Sequence, residues 1–186
     1  MITEALKAIA ACLKEAGISY MVVGGQAVLQ YGETRFTQDI DITLAVTPDE
    51  IEEVIKPLQS CGFSTIPSDY LSFLKDTWVL PVRHSTTNIR IDLIFSILPF
   101  ERAAISNANE IFIDGAPVRF IAVEDLIVQK IFSGRPRDIE DAEGILKLNK
   151  ERVDLKKIED LIKALSAEMA DSSFLEKFEE LKRNAK

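Results

Sequence analysis

The sequence predicts an α+β chain in which short strands alternate with helices as far as Ile121 and helices alone follow. Three observations carry this. A β-rich run over residues 19–23 enters Gly24-Gly25 and a brief apolar helix before a second run begins at Ile40, which gives the order strand, glycine turn, helix, strand. Two further β-rich runs, 78–83 and 89–95, are joined across Ser85-Thr86-Thr87-Asn88, and Asp114-Gly115 is a hairpin signal between 110–113 and 117–121. From Val123 onward the apolar residues recur at helical spacing.

Taken in order, Leu6, Ile9, Ala10 and Leu13 mark a first amphipathic helix, with Thr3 as its cap and Gly17 as its stop. The helix after the glycine pair spans 26–31 and ends at Gly32. Thr47-Pro48-Asp49-Glu50 reads as a capping box with proline at the first helical position, and Ile51, Val54, Ile55 and Leu58 form the stripe that follows. Pro57 falls inside that stripe and is expected to kink or shorten the helix, because it lacks an N–H. Residues 62–76 are turn-rich and read as a substrate loop. Pro117 confines its strand to an edge or to a strand start. Helices are expected at 123–132, 137–148, 155–165 and 174–181. The division expected is a domain over residues 1–148 and a helical extension over 149–186 packed on it.

Composition limits the function classes. The 186 residues are 47% apolar, enough for a real core. A net charge of −8 builds no long-range attraction to nucleic acid into the surface, so any polyanion must meet a local basic patch. Cys12 and Cys61 lie in helical patterns without C-x-x-C spacing, which speaks against zinc and against a disulfide framework. No apolar stretch approaches the ~18 residues of a membrane span, and Glu4 and Lys7 interrupt any leader-like block, so the expected compartment is the cytoplasm with no membrane partner.

The chemistry concentrates in Arg35-Phe36-Thr37-Gln38-Asp39-Ile40-Asp41-Ile42. On a strand, alternate side chains share a face, so Asp39 and Asp41 point one way and Ile40 and Ile42 the other. Such a pair holds a divalent cation through oxygen ligands, or it caps turns and meets arginines. The glycine pair upstream and Asp92, set in the apolar run Ile91-Asp92-Leu93-Ile94-Phe95, favour the metal. If the strand of Asp92 lies beside that of Asp41, three carboxylates converge, a set able to hold one or two Mg²⁺ ions around a nucleotide. Gly24-Gly25 offers backbone N–H groups to a phosphate at a helix N-terminus, although a glycine pair is by itself a tight turn. Neither a dinucleotide fingerprint nor a Walker-type loop is present. His84 reads as a turn residue before it reads as a base.

The order of these motifs resembles the hG[GS]…Dh[DE]h signature of the DNA polymerase β nucleotidyltransferase superfamily. Within it, the run Arg35-Phe36-Thr37-Gln38-Asp39-Ile40-Asp41, the lysine helix carrying Glu124-Asp125-Leu126-Ile127-Val128-Gln129-Lys130, and Arg135-Pro136-Arg137-Asp138-Ile139-Glu140-Asp141 resemble the AbiEii-like toxin group and its small relatives. The resemblance implies a mixed sheet with flanking helices, Mg²⁺ (two ions, with Mn²⁺ as a substitute), a nucleoside triphosphate, and transfer of a nucleotidyl group to an RNA end, a protein or a small molecule. It assigns Asp39, Asp41 and Asp92 to metal and catalysis, with Asp92 orienting or deprotonating the attacking group. Gly24, Gly25, Arg35, Lys130, Asp138 and Asp141 go to nucleotide binding. An antitoxin-like protein is an implied partner. Gly25 departs from the serine often found there. The alternative is a non-catalytic nucleotide-binding module of the same fold; a phosphohydrolase with an aspartyl nucleophile also uses D-x-D.

Overall fold

The computed structural model describes residues 1–33 and 37–185. Two units are distinguished by their internal contacts, Met1–Gln26 with Phe36–Ile121, and Ala27–Arg35 with Ala122–Lys186. The second groups the helices at 123–133 and 136–149 with the C-terminal helices at 155–169 and 173–184.

The first unit is built on a sheet of seven strands among the described residues. They are β1 (Tyr20–Val23), β2 (Ile40–Leu44), β3 (Phe63–Thr65), β4 (Val79–His84), β5 (Arg90–Phe95), β6 (Asn109–Ile113) and β7 (Ala116–Phe120), in the order β3-β4-β5-β2-β1-β7-β6. The sheet is mixed, as the motif resemblance implies: β2 runs parallel to β5 and β1 parallel to β7, and the other neighbours are antiparallel. Helices α1 (Ile2–Glu15), α3 (Ile51–Ser60), α4 (Tyr70–Thr77) and α5 (Pro99–Ser106) flank it. The parallel register sets Ile40 against Ile91, Ile42 against Leu93 and Leu44 against Phe95, all fully buried. Each such side chain contributes about 1.5–3 kcal/mol on leaving water. This apolar layer fixes the register, because a slip of one residue would drive Asp41 and Asp92 into the core.

Several elements differ from expectation. Helix α1 begins at Ile2 and Met1 is its cap, leaving Thr3 within the first turn. Strand β2 begins at Ile40, so Asp39 stands just before the strand instead of within it. Residues 62–76 are not a loop: β3 pairs with β4, and Asp69 caps α4 by accepting from the Ser72 N–H at 3.1 Å. The capping box before α3 forms, with the Thr47 N–H and hydroxyl both donating to Glu50 Oε2, and α3 ends three residues after Pro57. Pro117 is the second residue of β7, next to the strand start. The expectation against a disulfide is overturned. Cys12 lies on the buried face of α1, α1 packs against α3, and Cys61 is the C-cap of α3, so the two are paired with Cα atoms 6.1 Å apart.

The second unit contains the greater part of α2 (Gly24–Tyr31) with α6 (Val123–Ser133), α7 (Pro136–Asn149), α8 (Leu155–Met169) and α9 (Ser173–Asn184). Its core is assembled from Leu126, Ile127 and Ile131, Ala142 and Ile145, Ile158 and Ile162, and Phe178. Gly134 ends α6 in the left-handed region at φ 65°, and Pro136 starts α7 two residues later. Among the described residues, no helix is long and apolar enough to cross a membrane.

Candidate functional site

Parallel pairing of β2 with β5 places Asp41 directly opposite Asp92, and strand alternation puts both on the face away from the Ile40, Ile42, Ile91 and Leu93 layer. Asp39 sits at the mouth of β2, where its carbonyl accepts from the Gln26 side-chain amide at 3.4 Å and from the Thr37 hydroxyl at 3.5 Å. The Gln26 bond ties the segment before β2 to the first turn of α2.

On the other side of Asp41 lies the glycine turn. Val23, the residue before it, pairs with Asp41. Gly24 has φ +58°, a conformation that disfavours any side chain, and a Cβ on it would collide with the Asp41 carboxylate. A Cβ on Gly25 would collide with Thr37. Both glycines therefore let backbone reach the carboxylate strand, and the N–H groups of residues 24–26 precede the first bond within α2. The turn is thus a donor-bearing backbone edge set beside two acids.

Two arginines stand near the acids, Arg90 on the strand of Asp92 and Arg83 on β4 beside it. Arg90 shares a face with Asp92 two residues on and grips it with both prongs of its guanidinium, Nε to Oδ1 at 2.9 Å and Nη2 to Oδ2 at 3.1 Å. The bonds to Asp92 raise the Arg90 pKa, burial opposes this, and the charges of Asp92, Asp39 and Asp41 raise it further. Across the β4/β5 pair, Arg83 is the direct partner of Arg90. An R-x-D on a strand is the signal from which the Arg90–Asp92 clamp is legible in the sequence. His84 turns to the opposite face, where it is buried, stacks on Phe63 at 4.8 Å between ring centroids and hydrogen-bonds Thr87 at 2.9 Å. It is a packing residue at the end of β4.

In the second unit, Lys130, Asp138 and Asp141 come together on the facing sides of α6 and α7. The Lys130 ammonium lies 2.5 Å from Asp138 Oδ1 and 2.9 Å from Asp141 Oδ2, and the Ser133 hydroxyl donates to Asp138 Oδ2 at 2.6 Å. Burial on its own would raise the Asp138 pKa, but the bonds from Lys130 and Ser133, with the charges of Lys130 and Arg135, hold it below the usual carboxylate range. Eight of the nine expected site residues thus fall into two groups, one in each unit, and Arg35 lies outside the described residues.

A divalent cation suits the first group by its donor chemistry, since carboxylate oxygens in register on one face are the ligands that Mg²⁺ and Mn²⁺ take. Among the described residues, no three acidic, histidine or cysteine side chains are already gathered as a metal-binding group. The Arg90 guanidinium stands as the local counter-charge to Asp92.

A family model described as "Nucleotidyl transferase of unknown function (DUF2204)" matches residues 2–180. No curated protein matches the chain in sequence. Among solved structures, the solution structure of the antibiotic-resistance factor ANT(2'')-Ia aligns with a TM-score of 0.59 at 17% identity, over 90% of this chain and 92% of that one. An antigenic nucleotidyltransferase-like protein from Paracoccidioides brasiliensis aligns with a TM-score of 0.58 at 18% identity, over 94% and 91%. ANT(2")-Ia in complex with adenylyl-2"-tobramycin gives 0.56 at 18% identity, over 90% and 98%. At such identities the likeness concerns the fold.

Proposed function

Since the chain belongs to this nucleotidyl transferase family, we propose that the site of its first unit transfers a nucleoside monophosphate from a nucleoside triphosphate to a hydroxyl acceptor. The acceptor is an RNA end, a protein or a small molecule, and the reaction takes place in the cytoplasm. One observation carries the reading: Asp41 stands opposite Asp92 on one side and over Gly24 on the other. A triphosphate needs backbone donors for its phosphates and acids for its metal, and here one carboxylate joins the two.

Asp39, Asp41 and Asp92 would hold Mg²⁺, as one or two ions and with Mn²⁺ as a substitute, and the bound metal would neutralise charge on the phosphates. The N–H groups of Gly24 and Gly25, at the N-terminal end of α2, would hold the outer phosphates. Asp92, once Arg90 releases it, would accept the proton of the attacking hydroxyl. Arg35, Lys130, Asp138 and Asp141 are assigned to nucleotide binding by the motif order of the sequence. The complete carboxylate set favours this reading over a non-catalytic nucleotide-binding module.

The test is thermal stabilisation of the purified protein by ATP, GTP, CTP and UTP, each with and without Mg²⁺. A ligand at a hundredfold excess over its Kd adds about 2.7 kcal/mol to the stability of the native state. The expected outcome is a Mg²⁺-dependent rise in midpoint that the Asp39→Ala/Asp41→Ala protein loses while keeping its fold by circular dichroism. Equal shifts in wild type and variant would end the proposal.

A further inference from the structure

Arg83 and Arg90 face each other as a like-charged pair across two antiparallel strands. Such pairs cost stability and are not expected without compensation. Arg90 is compensated by Asp92. Arg83 is not compensated in that way: its guanidinium donates to the Asn88 main-chain carbonyl at 3.1 Å and to the Asn88 side-chain oxygen at 3.4 Å, both neutral. Among the described residues no carboxylate pairs with it. The two arginines line a cavity of about 420 Å³ together with Thr37, Asp39 and Ile89.

The sheet order gives this cavity its place. With β4-β5-β2-β1 in sequence across the sheet, Arg83 of β4 lies on the far side of Asp92 and Asp41 from the glycine turn after β1, and Arg90 stands on the strand of Asp92, two residues before it. A triphosphate held at the glycine turn leaves the arginine side open to the attacking molecule.

We propose that this cavity is the acceptor subsite and that the acceptor carries a phosphate or phosphodiester close to its reactive hydroxyl, held by Arg83 and Arg90. The inference rests on the nucleotidyl-transfer reading above. Guanidinium groups match phosphate oxygens with paired hydrogen bonds, and two on adjacent strands suit one phosphate better than a cationic acceptor. Binding also completes the site: Arg90 exchanges the Asp92 carboxylate for the acceptor phosphate, which frees Asp92. The acceptor oxygen then bonds to the α-phosphorus and the bond from that phosphorus to the bridging oxygen breaks. Pyrophosphate leaves with the electron pair, and the hydroxyl proton passes to Asp92.

The experiment uses the full chain, with Mg²⁺ and the α,β-methylene analogue of whichever triphosphate stabilises it most. Fluorescence anisotropy follows a labelled single-stranded oligoribonucleotide with a free 3′-hydroxyl, with ribose 5-phosphate as competitor. Arg83→Glu and Arg83→Gln are compared with wild type. The glutamate replaces a like-charged cross-strand pair with an opposite one, so the fold is retained. Each variant is expected to weaken the oligoribonucleotide about tenfold or more, the loss of a charged hydrogen bond, while the midpoint shift given by the triphosphate stays as in wild type. Displacement by ribose 5-phosphate identifies a free phosphate compound as sufficient; binding of the oligoribonucleotide alone identifies an RNA end. The proposal is overturned if neither phosphate probe binds, if both variants bind as wild type does, or if both lose the triphosphate shift, which would place the donor on the arginines. A wild-type protein with no triphosphate shift refutes nucleotidyl transfer instead. The two phosphate probes then report on the cavity without a donor.

Discussion

Lys130 is buried, with a charge that is already matched: two carboxylates lie within 2.9 Å of its ammonium. It can reach a phosphate only by giving up one of them, so its contribution to the free protein is to stability. Removing one partner from a buried ion group leaves uncompensated charge, which costs about 3–5 kcal/mol. The pH dependence follows from Asp138, whose pKa is lowered in the folded chain. A carboxyl depressed in this way contributes its stability fully above its unfolded pKa of about 3.9 and loses it as the pH falls through the folded value. Lys130→Met should therefore lose about 3–5 kcal/mol at pH 7 and less at an acid pH below the unfolded value of about 3.9, read by urea denaturation at the two pH values. An equal loss at both would mean that packing of the lysine stem, and not its charge, is what matters.

Helices α1 and α3 are joined covalently by Cys12 and Cys61, 49 residues apart in sequence. Closing a loop of that length restricts the unfolded chain and is worth roughly 4 kcal/mol. Reduction should lower the melting midpoint, and the Cys12→Ser/Cys61→Ser double variant should show the same lower midpoint with no further response to reductant. A midpoint indifferent to reductant in the wild type would show that the sulfurs are not bonded in solution. This element-scale contact could not be read from the sequence, since neither cysteine carries a local spacing signal and only the packing of two helices brings them together. The same holds for β3, three residues long and without alternation, and for α4, whose exposed Leu71 and Phe73 blur its apolar stripe. The elements that were legible bury one continuous face: Leu6, Ile9 and Leu13 on α1, or Ile91, Leu93 and Phe95 on β5. Of the candidate site, Asp41, Asp92 and Gly24 were legible as chemistry because each stands against its surroundings, an acid in an apolar strand or a glycine at a strand end. The Arg83–Arg90 pairing was not, because it depends on the register of the β4/β5 hairpin.

At the scale of the whole molecule, charge separates a local anion site from a broad one. The chain carries 30 acidic and 22 basic residues, so its long-range field repels a polyanion while Arg83 and Arg90 attract one phosphate group at short range. Binding of single-stranded nucleic acid releases counterions in proportion to the phosphates neutralised, with a slope of log affinity on log salt near −0.7 for each. Two arginines therefore set a slope of about −1.4, or about a sevenfold loss of oligoribonucleotide affinity between 50 and 200 mM salt. Screening of the net repulsion works in the opposite sense and makes the observed slope shallower still. Anisotropy titrations across that salt range measure it directly. A loss of about a thousandfold, as for proteins making six or more phosphate contacts, would require basic residues well beyond this pair, with Arg135 and Arg137 of the second unit the first to replace. A slope at or below the two-charge value, abolished by Arg83→Gln together with Arg90→Gln, would confine recognition to one phosphate beside the reacting hydroxyl.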